Sequence, residues 1–275
     1  MKKFKLRLGA WFWIILGLLI SLIVLLVFLN FKKTIKGEDF KIAILANDGV
    51  AMVSFSPERK MINVLKLNKE SRLWIPGGLG WYRNEVIKNL LTQEKQLNKV
   101  KDLFFYNFGF EPDKVLILYK VDDWKSRYWL RYRWLSNRML FKEEILNRDI
   151  KEEENLLDEL MVRDFAETKV VKEDLKISVF NLTNINGLAN FMARRLEWMG
   201  FSVVSTETLI DDYNIDTCLV KYKLDSNKSI GWEMIDQLTN NCQKEYDENL
   251  NNGEVEFYFG NNFSSMIKYP SYNNI

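Results

Sequence analysis

From Ala10 to Leu29 the chain is apolar at every position but Ser21 and carries no charge; beyond Lys32 the apolar positions take up two different periods. The first run matches the ~20 residues a helix needs to cross a ~30 Å hydrocarbon core. Trp11, Phe12 and Trp13 sit at one end of it, where amphipathic rings favour an interface. Lys2, Lys3, Lys5 and Arg7 precede it, and Lys32, Lys33 and Lys36 follow. The pattern predicts a transmembrane anchor over 10–31, a cytoplasmic stretch over 1–9 and an exported body, because a long downstream domain is translocated largely regardless of charge. A cleaved signal peptide is the rival, but such a core is usually shorter and ends in small residues, where this chain has Phe28-Leu29-Asn30-Phe31.

The body then alternates. KIAILA (41–46), VAMVSFS (50–56) and KMINVLKLN (60–68) read as strands joined by an Asn47-Asp48-Gly49 turn and a Pro57-Glu58-Arg59 turn. IPGGLG (75–80) reads as a loop, 85–107 as a helix, and KVLILYK (114–120) as a strand. Residues 124–166 read as one long helix or two in series, an amphipathic connector placed at 122–170. After it come a strand at 176–181, a helix at 187–199, strands at 201–206 and 217–223, a helix at 229–240 and a strand at 254–259. The expected fold class is α/β: a single N-terminal transmembrane helix, a small α/β domain over 41–121, the helical connector, a βαββαβ domain over 176–263 with two helices on one face, and a disordered tail over 264–275.

Composition narrows the chemistry. A net charge of +2 from 39 basic and 37 acidic residues lacks the basic excess of a nucleic-acid binder. The absence of histidine removes Ser-His and Cys-His nucleophiles and every His-ligated metal site. Cys218 and Cys242 are too far apart in sequence for a zinc knuckle. Cys218 begins a strand and Cys242 follows the helix that returns beside it, so either a disulfide within a Cα distance of about 7 Å or two unpaired thiols is open. An exported location permits the bond.

The stretch VFNLTNINGLANFMARRLEWMGFSVV (179–204) reads as strand, turn, helix, strand. A phosphate cradle would carry several glycines, or a Lys-Ser/Thr pair after them; here Gly187 stands alone in the turn. The structural reading has Asn184 or Asn186 capping the helix, Leu188, Phe191, Met192 and Leu196 buried, and Gly200 ending the helix. The pattern V-x-N-x-T/N-x-x-G-L-A with the following G-F-x-V resembles the C-terminal domain attached to LytR/CpsA/Psr envelope proteins, and DTCLVKY resembles that domain's T-x-V-x-Y strand. The resemblance covers 176–263 and brings no agreed catalytic residues.

The first part of the body is similar in layout to the LytR-CpsA-Psr (LCP) catalytic domain, in truncated and degenerate form. NDGVAMVSFSPERKMINVLKLNKES sets Asp48 on a metal-binding aspartate of that family, Ser54 to Pro57 on its S-x-x-P, and Asn68-Lys69-Glu70-Ser71 on P-R-D-T; IPGGLGWYRNE sets Arg83-Asn84 on K-I-N. The resemblance implies binding of lipid-diphosphate-linked glycopolymer by arginines and Mg²⁺-bound aspartates. Departures from the pattern are Ala46 and Lys69 at arginine positions and Glu70 at an aspartate position. Lysine does not reproduce a bidentate guanidinium grip. The implied function is therefore non-catalytic binding or scaffolding in cell-wall or surface glycopolymer assembly; the alternative is an active phosphotransferase using Asp48, Lys69, Glu70 and Arg83 with Mg²⁺. No other cofactor is implied. Implied partners are membrane lipid through the N-terminal helix and an anionic envelope polymer or lipid-linked glycan.

Three further features carry two readings each. Arg127, Arg131, Arg138 and Lys142 fall on one helical face among Trp124, Tyr128, Trp129, Tyr132 and Trp134. They are either an anion-binding patch or arginine stems packed over aromatics. Asp211-Asp212 is a cation site or a plain loop. Glu143, Glu144 and the run Glu152–Glu154 read as solvated faces.

Overall fold

The computed structural model describes residues 13–22, 38–75, 80–93, 97–126, 140–146, 154–209, 215, 217–223, 229–239, 241–251, 253–260 and 262. Two five-stranded sheets with helices against them make a mixed α/β molecule. The first sheet runs β6-β1-β2-β3-β7, where β1 is Phe40–Ala46, β2 Gly49–Ser56, β3 Met61–Leu67, β6 Lys114–Ile117 and β7 Leu140–Leu146. A hairpin of β4 (Arg72–Ile75) and β5 (Gly80–Arg83) stands beside it. β1 to β3 form an antiparallel meander, and β6 and β7 join its two edges in parallel.

β1 and β2 are buried almost throughout because both faces of the sheet are covered. Ala43, Leu45, Val50 and Met52 point toward α2 (Asn84–Gln93) and α3 (Val100–Phe108). Ile42, Ile44, Val53 and Phe55 point the other way, onto Leu116, Val121 and Trp124. This is the period-2 alternation of a strand with apolar residues on both sides, which reads as a continuous apolar run.

The second sheet runs β11-β10-β12-β8-β9, with β8 Lys176–Asn181, β9 Ser202–Thr208, β10 Cys218–Tyr222, β11 Gln243–Tyr246 and β12 Val255–Phe259. Between the sheets lie α4 (Glu154–Leu160), a π-helical turn over Met161–Phe165, and α5 (Thr168–Glu173). Helices α6 (Leu188–Met199) and α7 (Ile230–Leu238) share one face of the second sheet. Cys218 and Cys242 are disulfide-bonded with Cα atoms 4.8 Å apart, tying the start of β10 to the turn after α7.

Several expectations need correction. Among the described residues no helix is long and apolar enough to cross a membrane. The N-terminal helix, α1, covers 13–22, about 15 Å at 1.5 Å per residue and half of a hydrocarbon core; the rest of the apolar run lies outside the described residues. The transmembrane helix of the expected fold class is thereby overturned, since an apolar run of the right length is not yet a helix of that length. The helical connector is likewise interrupted. Residues 140–146 form β7, paired in register from Met61↔Leu140 to Leu67↔Leu146; an edge position in a sheet outweighed the local helical period. The tail from 264 lies outside the described residues, and the second sheet contains β11, a strand too short and polar to announce itself.

α6 couples the two sheets. Trp198 is 2% exposed and belongs to the core of the first sheet, with Phe104, Phe108 and Leu160. Its Nε1 donates to Asp158 Oδ1 at 2.7 Å, and Arg194 also pairs with Asp158. Buried Arg195 donates from Nε and Nη2 to the Tyr106 carbonyl at 3.1 and 2.7 Å, with its guanidinium 3.8 Å from the Phe191 ring centre. Gly109 ends α3 in the left-handed region at φ +68°, where a Cβ would come 2.9 Å from Trp198 Cβ and 3.0 Å from the Arg195 carbonyl.

Between the sheets, buried Asp164 accepts from Lys142 Nζ at 3.0 Å and from Arg163 Nη2 at 2.9 Å. Burial works against its charge, but the Arg163 and Lys142 hydrogen bonds prevail and hold its carboxyl below the ordinary value.

Two predictions follow from these contacts. Gly109→Ala combines a left-handed backbone with a backbone clash and is expected to destabilise by about 3 kcal/mol, read from the denaturant midpoint. Asp164→Asn is expected to lose about 2 kcal/mol at neutral pH. Because the folded carboxyl titrates below its unfolded value, its stabilisation is present above about pH 4 and fades as the pH falls through the folded value. Melting temperatures of wild type and variant should therefore converge in acid.

Candidate functional site

The positions singled out in the first half of the body gather at one end of the first sheet. Asp48 lies exposed in the β1–β2 turn; Lys69 and Glu70 are exposed in the turn between β3 and β4; Arg83 is the last residue of β5, immediately before α2. Asn84 organises them. It is fully buried, and its Nδ2 donates to the carbonyls of Leu67 at 3.0 Å and Asn68 at 3.1 Å. Its backbone N–H donates to the Ser71 carbonyl at 2.8 Å, and the next N–H, of Glu85, donates to the Lys69 carbonyl at 3.3 Å. The β2 end of the Asp48 turn comes up against the same side chain: a Cβ on Gly49 would stand 2.8 Å from Asn84 Nδ2. One turn along α2, Lys88 Nζ donates to Asn47 Oδ1 at 2.6 Å and to the Leu118 carbonyl at 2.8 Å. The two turns are thus held side by side at the N-terminus of a ten-residue helix, an end that favours negative charge.

The hairpin adds a residue that sequence reading missed. Arg72 is the cross-strand partner of Arg83 in the β4–β5 ladder, and both are exposed. Directly opposed residues of an antiparallel pair project from the same face, and like charges so placed repel. Among the described residues neither guanidinium has an ion pair or hydrogen bond, and the same holds for the Lys69 ammonium. The signal was the symmetry of RLWIPGGLGWYR about its glycines, which pairs 72 with 83 once the stretch is read as a hairpin instead of a loop.

Asp48 makes one contact that the sequence does not announce. Its Oδ1 accepts the Val121 N–H at 2.8 Å, fastening a short 3₁₀ turn at Val121–Asp123 to the sheet. Among the described residues no three acidic or cysteine side chains stand close enough together to hold a metal ion.

Of the other candidates, Arg127, Arg131 and Arg138, with Tyr128, Trp129, Tyr132 and Trp134, lie outside the described residues, as do Asp211-Asp212 and the run 152–153. Lys142 leaves the proposed helical face altogether: it stands on β7 and pairs with Asp164. Glu143 is no solvated bystander either. It pairs with Lys66 at 2.5 Å and Lys125 at 3.2 Å, and both lysines also pair with Asp122. Burial opposes the charge on Lys66, but Asp122 and Glu143 outweigh it and raise its pKa. The turn at 182–187 is built by side chains and holds no phosphate cradle. Asn181 Oδ1 accepts from Thr183 N and Oγ1, Thr183 Oγ1 accepts the Ile185 N–H, and Gly187 stands at the N-cap where an asparagine was expected. Gly200 ends α6 as expected, at φ +107°.

No protein-family model matches the chain, and no curated protein sequence does. Among solved structures, similarity is found to a LytR-CPS2A-psr family protein, YwtF (TagT), with bound octaprenyl pyrophosphate lipid. It has 14% identity over 62% of this chain and 77% of the other, with a TM-score of 0.25. A second is TagT bound to LIIa-WTA, at 12% identity over 62% and 78% of the two chains and the same TM-score. Scores this low leave the architecture to be defined by the strand order and register given above.

Asp48→Ala tests the assignment of that carboxylate. Loss of one hydrogen bond to the Val121 N–H is expected to lower stability by about 1 kcal/mol, and Mg²⁺ is expected to leave the melting temperature of both proteins unchanged.

Proposed function

We propose that the chain is an extracytoplasmic envelope protein that binds a phosphate-bearing glycopolymer, or the lipid-linked form of one, at the β4–β5 hairpin, without turning it over. The observation that carries this reading is the opposed pair Arg72 and Arg83, exposed and without ion pairs among the described residues, beside Lys69 and the N-terminus of α2. Repulsion between facing guanidinium groups is relieved by an anion bridging them, and a phosphate diester or diphosphate offers oxygens to both forks. The layout of the LCP domain, read onto Lys69, Glu70 and Arg83, supports the same class of ligand. The Cys218–Cys242 disulfide supports an oxidising compartment. Ala46 and Lys69 at the arginine positions of that layout support binding over turnover, because diphosphate chemistry needs fixed charge or metal where the transition state develops it.

The test is equilibrium binding of a fluorescent polyprenyl-diphosphate-linked glycan to the full chain. Arg72→Glu with Arg83→Glu is expected to weaken it by about 10- to 100-fold, and raising salt should weaken the wild type progressively. Unchanged affinity in the double variant would sink the site. Release of phosphate that Asp48→Ala abolishes would make the protein an enzyme.

A further inference from the structure

A second site lies at the other sheet. Among the described residues β9 is an outermost strand, and a groove of about 530 Å³ runs along its segment Val203–Thr206. That volume is in the range of ligand-binding clefts. The opposite wall is α6, with Asn190, Arg194 and Glu197, and α4 closes one side with Asp158. An edge strand facing a helix across a groove is the arrangement in which a partner's extended segment adds to a sheet, its backbone hydrogen-bonding the free edge and its side chains filling the groove. β9 has neither proline nor lysine, and its one charge, Glu207, lies beyond the groove, which leaves a bulge as its edge-protecting device.

Two details point to an occupant. Ile177 pairs with Val203 but Ser178 with Ser205, so Val204 is the extra residue of a β-bulge and stands 49% exposed. Next to it, Ser205 Oγ is shielded from solvent and has no hydrogen-bond partner. The groove is also short of positive charge. Arg194 pairs with Asp158 and attracts Glu197 through space, and Glu197 has neither an ion pair nor a side-chain hydrogen bond among the described residues. Partial burial raises the carboxyl of Glu197 against the attraction of Arg194, and burial raises that of Asp158 against the Trp198 hydrogen bond and Arg195, with a smaller push from Glu197.

We propose that this groove receives an extended, basic peptide segment of a partner protein, added as a strand along β9 with a lysine or arginine side chain set against Glu197. The segment's backbone pairs with the edge at Val203–Thr206, and its cation adds the direct ion pair that Glu197 does not make among the described residues. The site is separate from the arginine hairpin and does not depend on glycopolymer binding.

The experiment selects a displayed random-peptide library against the full chain and measures the recovered peptides as synthetic ligands. Recovered peptides are expected to share a basic residue, to protect the amides of 203–206 from hydrogen exchange, and to lose about tenfold or more in affinity with Glu197→Lys and with Val204→Lys. Both substitutions are on exposed positions and should leave the melting temperature unchanged, and Arg72→Glu should leave the peptide affinity unchanged. Recovery of no peptide, of peptides lacking a basic residue, or of peptides indifferent to both variants would overturn the proposal. So would protection of the same amides by neutral maltotetraose, which would make the groove a glycan site.

Discussion

The insertion of Trp198 into a core that is not its own holds the molecule together. The residue sits on a helix of the second sheet, yet its ring completes the apolar cluster under the first. Burial of an aromatic ring of this size contributes on the order of 3 kcal/mol. Its indole N–H would forfeit part of that if it lacked a partner, and Asp158 supplies one. Gly109 makes the room, and Arg195 fills the remaining polar vacancy at the Tyr106 carbonyl. These contacts tie α6 to the first core, and the walls of the β9 groove are drawn from α4 on one side and from α6 and β9 on the other.

The arginine hairpin depends on that framework at one remove. Asn107, buried on α3, exchanges hydrogen bonds with both backbone groups of Trp74 at 3.0 and 2.8 Å, which fixes β4 against the helix. Asn84 fixes the other end of the ribbon to the turn at 67–68. The same protein thus spends two fully desolvated amides on placing a hairpin whose exposed face carries two guanidinium groups. Stability alone does not ask for that arrangement, since opposed cations weaken a ribbon.

The regular parts of the fold were legible where burial and period agreed. The three-strand meander and the strand–helix–strand at 176–206 followed from alternation and from glycine at helix ends. What failed was strand pairing at a distance, although the Cys218–Cys242 bond was among the readings that the sequence allowed. β7 carries LFKEEIL, a string whose charges suit a helix face as well as an edge strand, and only its register with β3 decides the matter. Lys142 and Glu143 therefore changed roles together, from a helical patch and a solvated face to ion pairs that hold the strand in place. Arg83 was singled out by a family motif, whereas its pairing with Arg72 required knowing that the glycine-rich stretch is a hairpin. The bond that Asp48 accepts was not legible, because a backbone N–H brought in from residue 121 has no trace in the local sequence.

The interlock also has a temporal side. The first sheet cannot be finished until β7 arrives, and its core stays open until Trp198 does. A chain made from its N-terminus at ~5–20 residues per second reaches Trp198 on the order of ten seconds after Phe110. Through that interval Phe104, Phe108 and Phe110 have their neighbours from β1–β3 and the helices but not Trp198. Nascent chains of this protein therefore pass through a stage with an aromatic surface open to any holdase that prefers such rings, and release from it is timed by the emergence of a helix nearly a hundred residues downstream.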